Sequence, residues 1–249
     1  MNELDIRKNA KHPPVLSSHR EFWDKIIGEQ NGKDFGTPGG SWINISGVPG
    51  SGKTLILLDI LSGYAQNTDC IVDLFDFETG KNKIIKYQKL VGSTNIHNIL
   101  GGVKEAVLPR IKRMVKECAD SKKIYVAAID TLNEWAGDNI KESRDLAREL
   151  HKLRENPNFI LITVAHLVKG SKRVLAGPAQ FARLSDANLI ITVMDVYRIL
   201  HAPEKNRLAT DYTDPIKLFL KAGEGWQESQ EPDFITKNPI IQLMRKWLT

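Results

Sequence analysis

Apolar positions along this chain fall into two alternating rhythms, short runs with strand character and longer segments with helical spacing. Trp42, Ile43 and Ile45 lead into a glycine-rich turn, behind which Leu55, Ile56, Leu57, Leu58, Ile60 and Leu61 mark a helix. The same unit then repeats. Residues 70–76 precede a lysine-studded helix carrying Ile84, Ile85, Leu90 and Val91, and 96–100 precede a helix over 103–118. Residues 123–130 precede a helix marked by Leu146, Leu150 and Leu153 and closed by Pro157. A strand at 159–166, a short helix at 178–184 and a strand at 189–193 complete the series. The runs ending on Asp130 and His166 are continuously apolar, as strands covered on both faces are. Alternation of this kind predicts an α/β fold, a mostly parallel sheet flanked by helices, with its ligand beyond the carboxyl ends of the strands. Residues 197–201 and 216–220 read as antiparallel additions at a sheet edge.

The flanks are simpler. Residues 1–20 are polar and charged and read as an N-terminal arm without a core of its own. A short helix with Phe22, Trp23, Ile26 and Ile27 on one face opens the core, and the glycine-rich stretch 28–40 reads as a loop delivering the chain to the first core strand. The core is expected over 21–225 and a C-terminal helical extension over 226–249. In that extension Pro239 precedes Ile240, Ile241, Leu243, Met244, Trp247 and Leu248, apolar surface wide enough to dock.

Composition narrows the class. The 249 residues are 41% hydrophobic and 7% aromatic, enough for a core. No run approaches a membrane span, and the first residues lack a signal-peptide apolar stretch, so a soluble, cytoplasmic protein is expected. Two cysteines, Cys70 and Cys118, make neither a disulfide scaffold nor a metal site. The net charge of +5 and pI of about 9.1 are compatible with nucleic acid without requiring it.

The turn after the first core strand is the strongest chemical signal. Gly47-Val48-Pro49-Gly50-Ser51-Gly52-Lys53-Thr54 matches G-x-x-x-x-G-K-[ST] in full, between a strand and a helix. Its glycines let consecutive backbone N–H groups converge on phosphate oxygens at the positive end of the following helix. Lys53 is expected to reach the β- and γ-phosphates of ATP, and Thr54 to offer its hydroxyl to Mg²⁺. Asp130, ending an apolar strand, fits the aspartate that completes the Mg²⁺ shell. Hydrolysis also needs a group to orient or deprotonate water. In many ATPases an acid follows that aspartate directly, but here the next residue is Thr131. Glu78, after the strand at 70–76, is the first choice, on the expectation that this strand lies beside the P-loop strand; Asp76 and Glu134 stay open as rivals.

A P-loop, then Asp-x-Glu at Asp76-Phe77-Glu78, then an aspartate-capped strand followed by threonine, resembles the RecA superfamily core. Ala165-His166-Leu167-Val168-Lys169-Gly170 with Leu175-Ala176-Gly177-Pro178 is similar to segments of RadA/Sms-type ATPases. Glu204-Lys205-Asn206-Arg207 resembles the Lys-Asn-Arg motif that RadA shares with DnaB-type hexameric helicases. The resemblance spans about residues 17–220. It implies a RecA-like P-loop NTPase core using ATP and Mg²⁺, with His166 sensing the γ-phosphate and relaying it to the loop at Lys169. It also implies that Lys205 and Arg207 reach a neighbouring subunit's nucleotide, so that the chain works as a homo-oligomer, a ring or filament and most simply a hexamer. By length and cysteine count, no counterpart is expected for the zinc module and protease-like domain of RadA or for the N-terminal domain of DnaB-type helicases, and Leu208 and Ala209 replace the phenylalanine and glycine that follow Lys-Asn-Arg in RadA. The resemblance therefore implies a minimal motor core of a phage- or plasmid-like kind, with RepA-type helicases similar in size.

In such rings DNA contacts come from loops after the Asp130 and His166 strands. Lys169, Lys172 and Arg173 supply mobile cations for the phosphates of single-stranded or branched DNA, with no aromatic for base stacking. The basic cluster on the 103–118 helix reads as a solvated outer face. The leading expectation is a DNA-dependent recombination or replication ATPase. The alternative is an ATP-switched annealing, loading or assembly factor with little motor activity. A small-molecule kinase is disfavoured, because no lid with paired arginines is present.

Overall fold

The computed structural model describes residues 13–30, 34–93, 96–101, 103–137, 139–167, 179–202, 206–208 and 214–229. In chain order these form β1 (Val15–Leu16), α1 (Glu21–Ile27), β2 (Glu29–Gln30), β3 (Asp34–Phe35), β4 (Thr37–Pro38), β5 (Trp42–Gly47) and α2 (Lys53–Tyr64). There follow β6 (Cys70–Asp76), α3 (Lys81–Leu90), β7 (Asn98–Gly101), α4 (Lys104–Ser121), β8 (Ile124–Asp130), α5 (Leu132–Ala136) and α6 (Ile140–Leu153). Last come β9 (Phe159–His166), α7 (Ala179–Leu184), β10 (Ala187–Met194), β11 (Tyr197–His201), β12 (Ile216–Lys221) and β13 (Gly225–Glu228).

Nine strands make one sheet in the order β13-β12-β11-β10-β5-β9-β8-β6-β7. From β10 to β7 the pairs are parallel, and β11, β12 and β13 extend the edge antiparallel, as the alternation at 197–201 and 216–220 predicts. Because side chains alternate across a strand, the sheet divides the apolar residues between two cores. Ile43, Ile45, Val126, Ala128, Ile160 and Ile162 join the core with α1 and α2. Trp42, Tyr125, Ala127, Ile129, Phe159 and Leu161 join the core with Ile111 of α4, Leu132 of α5, Leu150 of α6 and Phe181 of α7. All six residues of β5 are buried, so the strand feeding the P-loop is fixed on both faces. No helix among the described residues is long and apolar enough to cross a membrane. Cys70 and Cys118 are free and buried, and burial pushes the Cys70 thiol up to about 12.

Several elements differ from expectation. β6 does not lie beside β5; β9 and β8 stand between them. The stretch 28–40 is not a plain loop, because β2 pairs with β3 and β4 pairs with β1. The end of the expected arm is thereby held on the core, with Leu16 and Ser18 buried. β13 crosses the expected boundary at 225/226, and it pairs with β12 around a turn in which Gly223 and Gly225 take positive φ. The remainder of the expected arm and of the C-terminal extension, including Pro239 and Trp247, lies outside the described residues.

Two buried carboxylates fasten the periphery. Asp59 of α2 accepts from Arg20 Nε at 2.5 Å and from the Trp226 backbone N–H at 2.6 Å, tying the N-terminal segment, the P-loop helix and β13 together. Asp73 of β6 accepts from Arg110 Nε at 2.8 Å, Tyr125 Oη at 3.0 Å and Asn98 Nδ2 at 2.6 Å, joining four elements at the other edge.

Candidate functional site

The P-loop leaves β5 at Gly47 and turns through Gly50 (φ 76°) and Gly52 (φ 91°), conformations that residues with a Cβ avoid. Gly52 is the N-cap of α2; it offers no capping side chain and the first turn holds no acid, so its backbone N–H groups remain for an anion. Lys53 Nζ donates to the carbonyls of Gly47 at 3.1 Å and Val48 at 3.0 Å. Burial lowers the Lys53 pKa, while Glu78 and Asp130 act in the opposite sense.

Next to the lysine, Thr54 Oγ1 donates to Asp130 Oδ2 at 2.7 Å. Asp130 is fully buried, and its other oxygen, Oδ1, has no hydrogen-bond partner. Burial pushes its carboxyl up to about 7 against the Thr54 hydrogen bond, with Glu78 and Asp76 adding to the rise. A hydroxyl beside an unsatisfied carboxylate oxygen is a hard-oxygen donor set, and it fits Mg²⁺ shared with phosphates.

Glu78 reaches this end of the site although its strand is not adjacent to β5. Asp76 makes that possible: its carboxylate accepts from the backbone N–H groups of Glu78 (3.4 Å), Thr79 (2.9 Å) and Gly80 (2.7 Å), folding 77–80 into a tight elbow. Glu78 Oε2 then lies 3.2 Å from His166 Nε2. His166 in turn donates its backbone N–H to Asn133 Oδ1 at 3.1 Å, and its Nδ1 is buried without a partner. Of the rival acids, Asp76 is engaged in the elbow, and Glu134 is exposed on α5.

A cavity of about 450 Å³ runs from Gly52, Lys53 and Thr54 past Glu78, Thr79, Lys83 and Tyr87 to Arg198, Leu220 and Trp226. Arg198 of β11 donates Nε to the Ser51 carbonyl at 2.8 Å and so braces the loop from the sheet edge. Trp226 stands beside it, its ring 3.5 Å from the position a Cβ on Gly52 would take. Neither was readable as a site residue from sequence, nor was Asn133.

The expected residues therefore divide. Lys53, Thr54, Asp130, Glu78 and His166 converge on the P-loop. Arg207 does not: it is exposed, and its backbone N–H donates to the Asp186 carbonyl, whose own N–H meets the Trp42 carbonyl at the start of β5. The length of β5, roughly 17 Å at a strand's rise per residue, separates it from the P-loop of the same chain. Lys169, Lys172, Arg173 and Lys205 lie outside the described residues.

No family model matches the chain. It is 21% identical over 231 residues to DNA repair protein RadA of Chlamydia muridarum, covering 91% of this chain and 48% of that protein. It is 23% identical over 235 residues to DNA repair protein RadA of Bacillus subtilis, covering 92% and 48%. The chain thus spans about half the length of the curated relatives it matches. Among solved structures, the ATPase domain of G40P superposes with a TM-score of 0.68 at 15% identity, over 91% of this chain and 95% of that one. The KaiC-like protein PH0186 of Pyrococcus horikoshii gives 0.66 at 13% identity, over 87% and 99%. The fold is that of a RecA-like P-loop ATPase domain, and the resemblance to RadA read from the motifs stands.

Proposed function

We propose that the chain hydrolyses ATP with Mg²⁺ and does so as an oligomer acting on DNA. The observation that carries this is the Thr54–Asp130 contact with its unsatisfied Oδ1, set beside an uncapped P-loop helix and facing Glu78. When bound, Mg²⁺ would supply charge stabilisation to the transferring phosphoryl group, held by Thr54 and Asp130. The backbone N–H groups of the P-loop bind and orient the phosphates, and Lys53 carries the compensating charge. Glu78, outside the metal pair and partly open to solvent, orients water and accepts its proton at the carboxylate. His166 holds that carboxylate through Nε2 and itself leads toward Lys169, which supports the relay role that the resemblance implies.

Oligomeric action rests on Arg207. Exposed, and far from its own P-loop, it suits a cation supplied together with Lys205 to a neighbour's nucleotide, where it stabilises phosphoryl-transfer charge. Action on DNA draws on the similarity to proteins named for DNA repair, on the +5 charge and on the cations Lys169, Lys172 and Arg173.

ATP turnover measured with and without single-stranded DNA, together with particle mass with and without nucleotide, tests the proposal. DNA-stimulated turnover by an assembled species is expected. Absence of any turnover would sink it. Nucleotide-dependent assembly with turnover indifferent to DNA would point instead to an ATP-switched assembly or loading factor.

A further inference from the structure

Among the described helices that carry lysine, α3 is the one without an acidic residue. It carries Lys81, Lys83, Lys86 and Lys89 and no acidic residue in its length. All four lysines are exposed, and among the described residues none forms an ion pair. Several basic residues on the other helices are matched: Lys25 by Glu21 and Glu228, Arg110 by Asp73, Lys112 and Lys152 by Glu149. The arrangement also works against the helix. Lys81 and Lys83 oppose the macrodipole in the first turn, and Lys83–Lys86 and Lys86–Lys89 are like-charge pairs at i,i+3. Lys83 has the Tyr87 ring 5.5 Å from its Nζ, but Lys81, Lys86 and Lys89 have no such partner among the described residues, and a segment that contradicts its own local preferences without a structural gain marks a functional surface.

We propose that the lysine face of α3 binds the phosphates of a nucleic-acid strand and couples that binding to Glu78; this rests on the DNA-dependent ATPase reading above. Lysine is depleted from protein–protein interfaces, so an uncompensated lysine row suits a polyanion better than a protein partner. From Lys81 to Lys89 the helix rises about 12 Å, the length of roughly three or four nucleotides along a strand. The coupling follows from the elbow: Asp76 holds Glu78, Thr79 and Gly80 by their N–H groups directly before Lys81, so the base and the first turn of α3 move together. Lys83 faces the nucleotide cavity from the same helix.

The test is the full chain with Lys81→Ala, Lys86→Ala and Lys89→Ala combined, leaving Lys83 in place because it lines the cavity. Alanine favours helix, so the variant retains α3. Binding of a fluorescent oligothymidylate is followed across a salt series, with ATP turnover and particle mass measured in parallel. The expected result is a salt slope smaller by about 2, at roughly 0.7 per lost phosphate contact on a single strand. DNA stimulation is lost, while DNA-free turnover and nucleotide affinity are unchanged. If the wild type binds the oligonucleotide and the variant keeps the full slope and stimulation, the α3 assignment fails while the ATPase reading stands. A change in particle mass with an unchanged slope overturns it too, making α3 a contact between copies. A wild type that binds no oligonucleotide removes the α3 assignment and the action on DNA together, leaving ATP turnover to be judged by its own assay.

Discussion

Glu78 Oε2 lies 3.2 Å from His166 Nε2, joining the acid that follows β6 to the residue that ends β9. β8 runs between those two strands, so the pair bridges over it at the carboxyl edge, with the Asp76 elbow supplying the reach. The roles proposed for the two side chains are separable. Glu78→Gln keeps shape and nucleotide affinity but removes the proposed proton acceptor, so turnover should fall by about 10²–10⁴-fold with ATP still bound. His166→Ala leaves the acceptor but frees it from its orienting partner, and the loss should stay within about 10²-fold and fall on kcat more than on KM. Single-turnover hydrolysis beside fluorescent-nucleotide binding separates the two. Normal hydrolysis by Glu78→Gln would remove Glu78 from the role of base.

Asp130 makes the nucleotide-free protein sensitive to pH. Its carboxyl is raised from 3.8 to about 7, chiefly by burial, so between those values the folded chain holds a proton that the unfolded chain has released. Stability contributed by this group is fully present below about pH 4 and is lost as pH rises through 7, on the order of a few kcal/mol. Mg²⁺ affinity should move the opposite way, since the ionised form is the proposed ligand. Melting temperatures from pH 5 to 8 without nucleotide should therefore decline, and Asp130→Asn should flatten the decline. A variant with the same slope as wild type would assign the pH dependence to another group.

How much of this was legible in the sequence depended on range. The positions of the P-loop, Asp130 and His166 at strand ends were readable because each is marked by its own apolar run and immediate neighbours. The place of Glu78 was only half readable. Its position after a strand was correct, but strand order is set by crossovers, and the insertion of β9 and β8 beside β5 leaves no local mark. β13 escaped because a four-residue strand around Trp226 shows no usable period, although the Gly223-Glu224-Gly225 turn before it was a hairpin signal. α5, at five residues, is likewise shorter than helical periodicity can reveal. Arg198 and Asn133 act on the P-loop and on His166 through partners distant in the chain, and no spacing rule encodes such contacts.

Arg20 should matter more than its surface location suggests. Its guanidinium meets Asp59, whose side chain is fully buried and whose only other partner among the described residues is the Trp226 N–H. Removing one member of a buried pair strands the other charge, at a cost of about 3 kcal/mol or more. For a domain of this size Arg20→Ala should then lower the melting temperature by roughly 6–12 °C. Because Asp59 also anchors β13, nucleotide affinity should weaken through Trp226 and Arg198 at temperatures where the chain is still folded. An unchanged melting temperature would mean that Asp59 finds another partner or takes up a proton.

Gly63→Ala sets two effects of opposite sign against each other in α2. In a free helix the change gains about 1 kcal/mol. Here the added Cβ falls 1.7 Å from the Ser18 carbonyl oxygen and 2.9 Å from its carbonyl carbon, backbone atoms that cannot rotate aside. Ser18 is itself fixed, since its N–H and hydroxyl both donate to Asp24. Relief requires the 17–20 segment to lift from α2, which draws Arg20 away from Asp59, so the contact loss adds to about 1–3 kcal/mol of overpacking. Net destabilisation of at least about 2 kcal/mol is expected, read as a lower urea midpoint with an unchanged m-value. In the double variant with Arg20→Ala the two losses should be less than additive, because both break the same attachment. A stabilised Gly63→Ala protein would show that the N-terminal segment does not pack on the P-loop helix in solution.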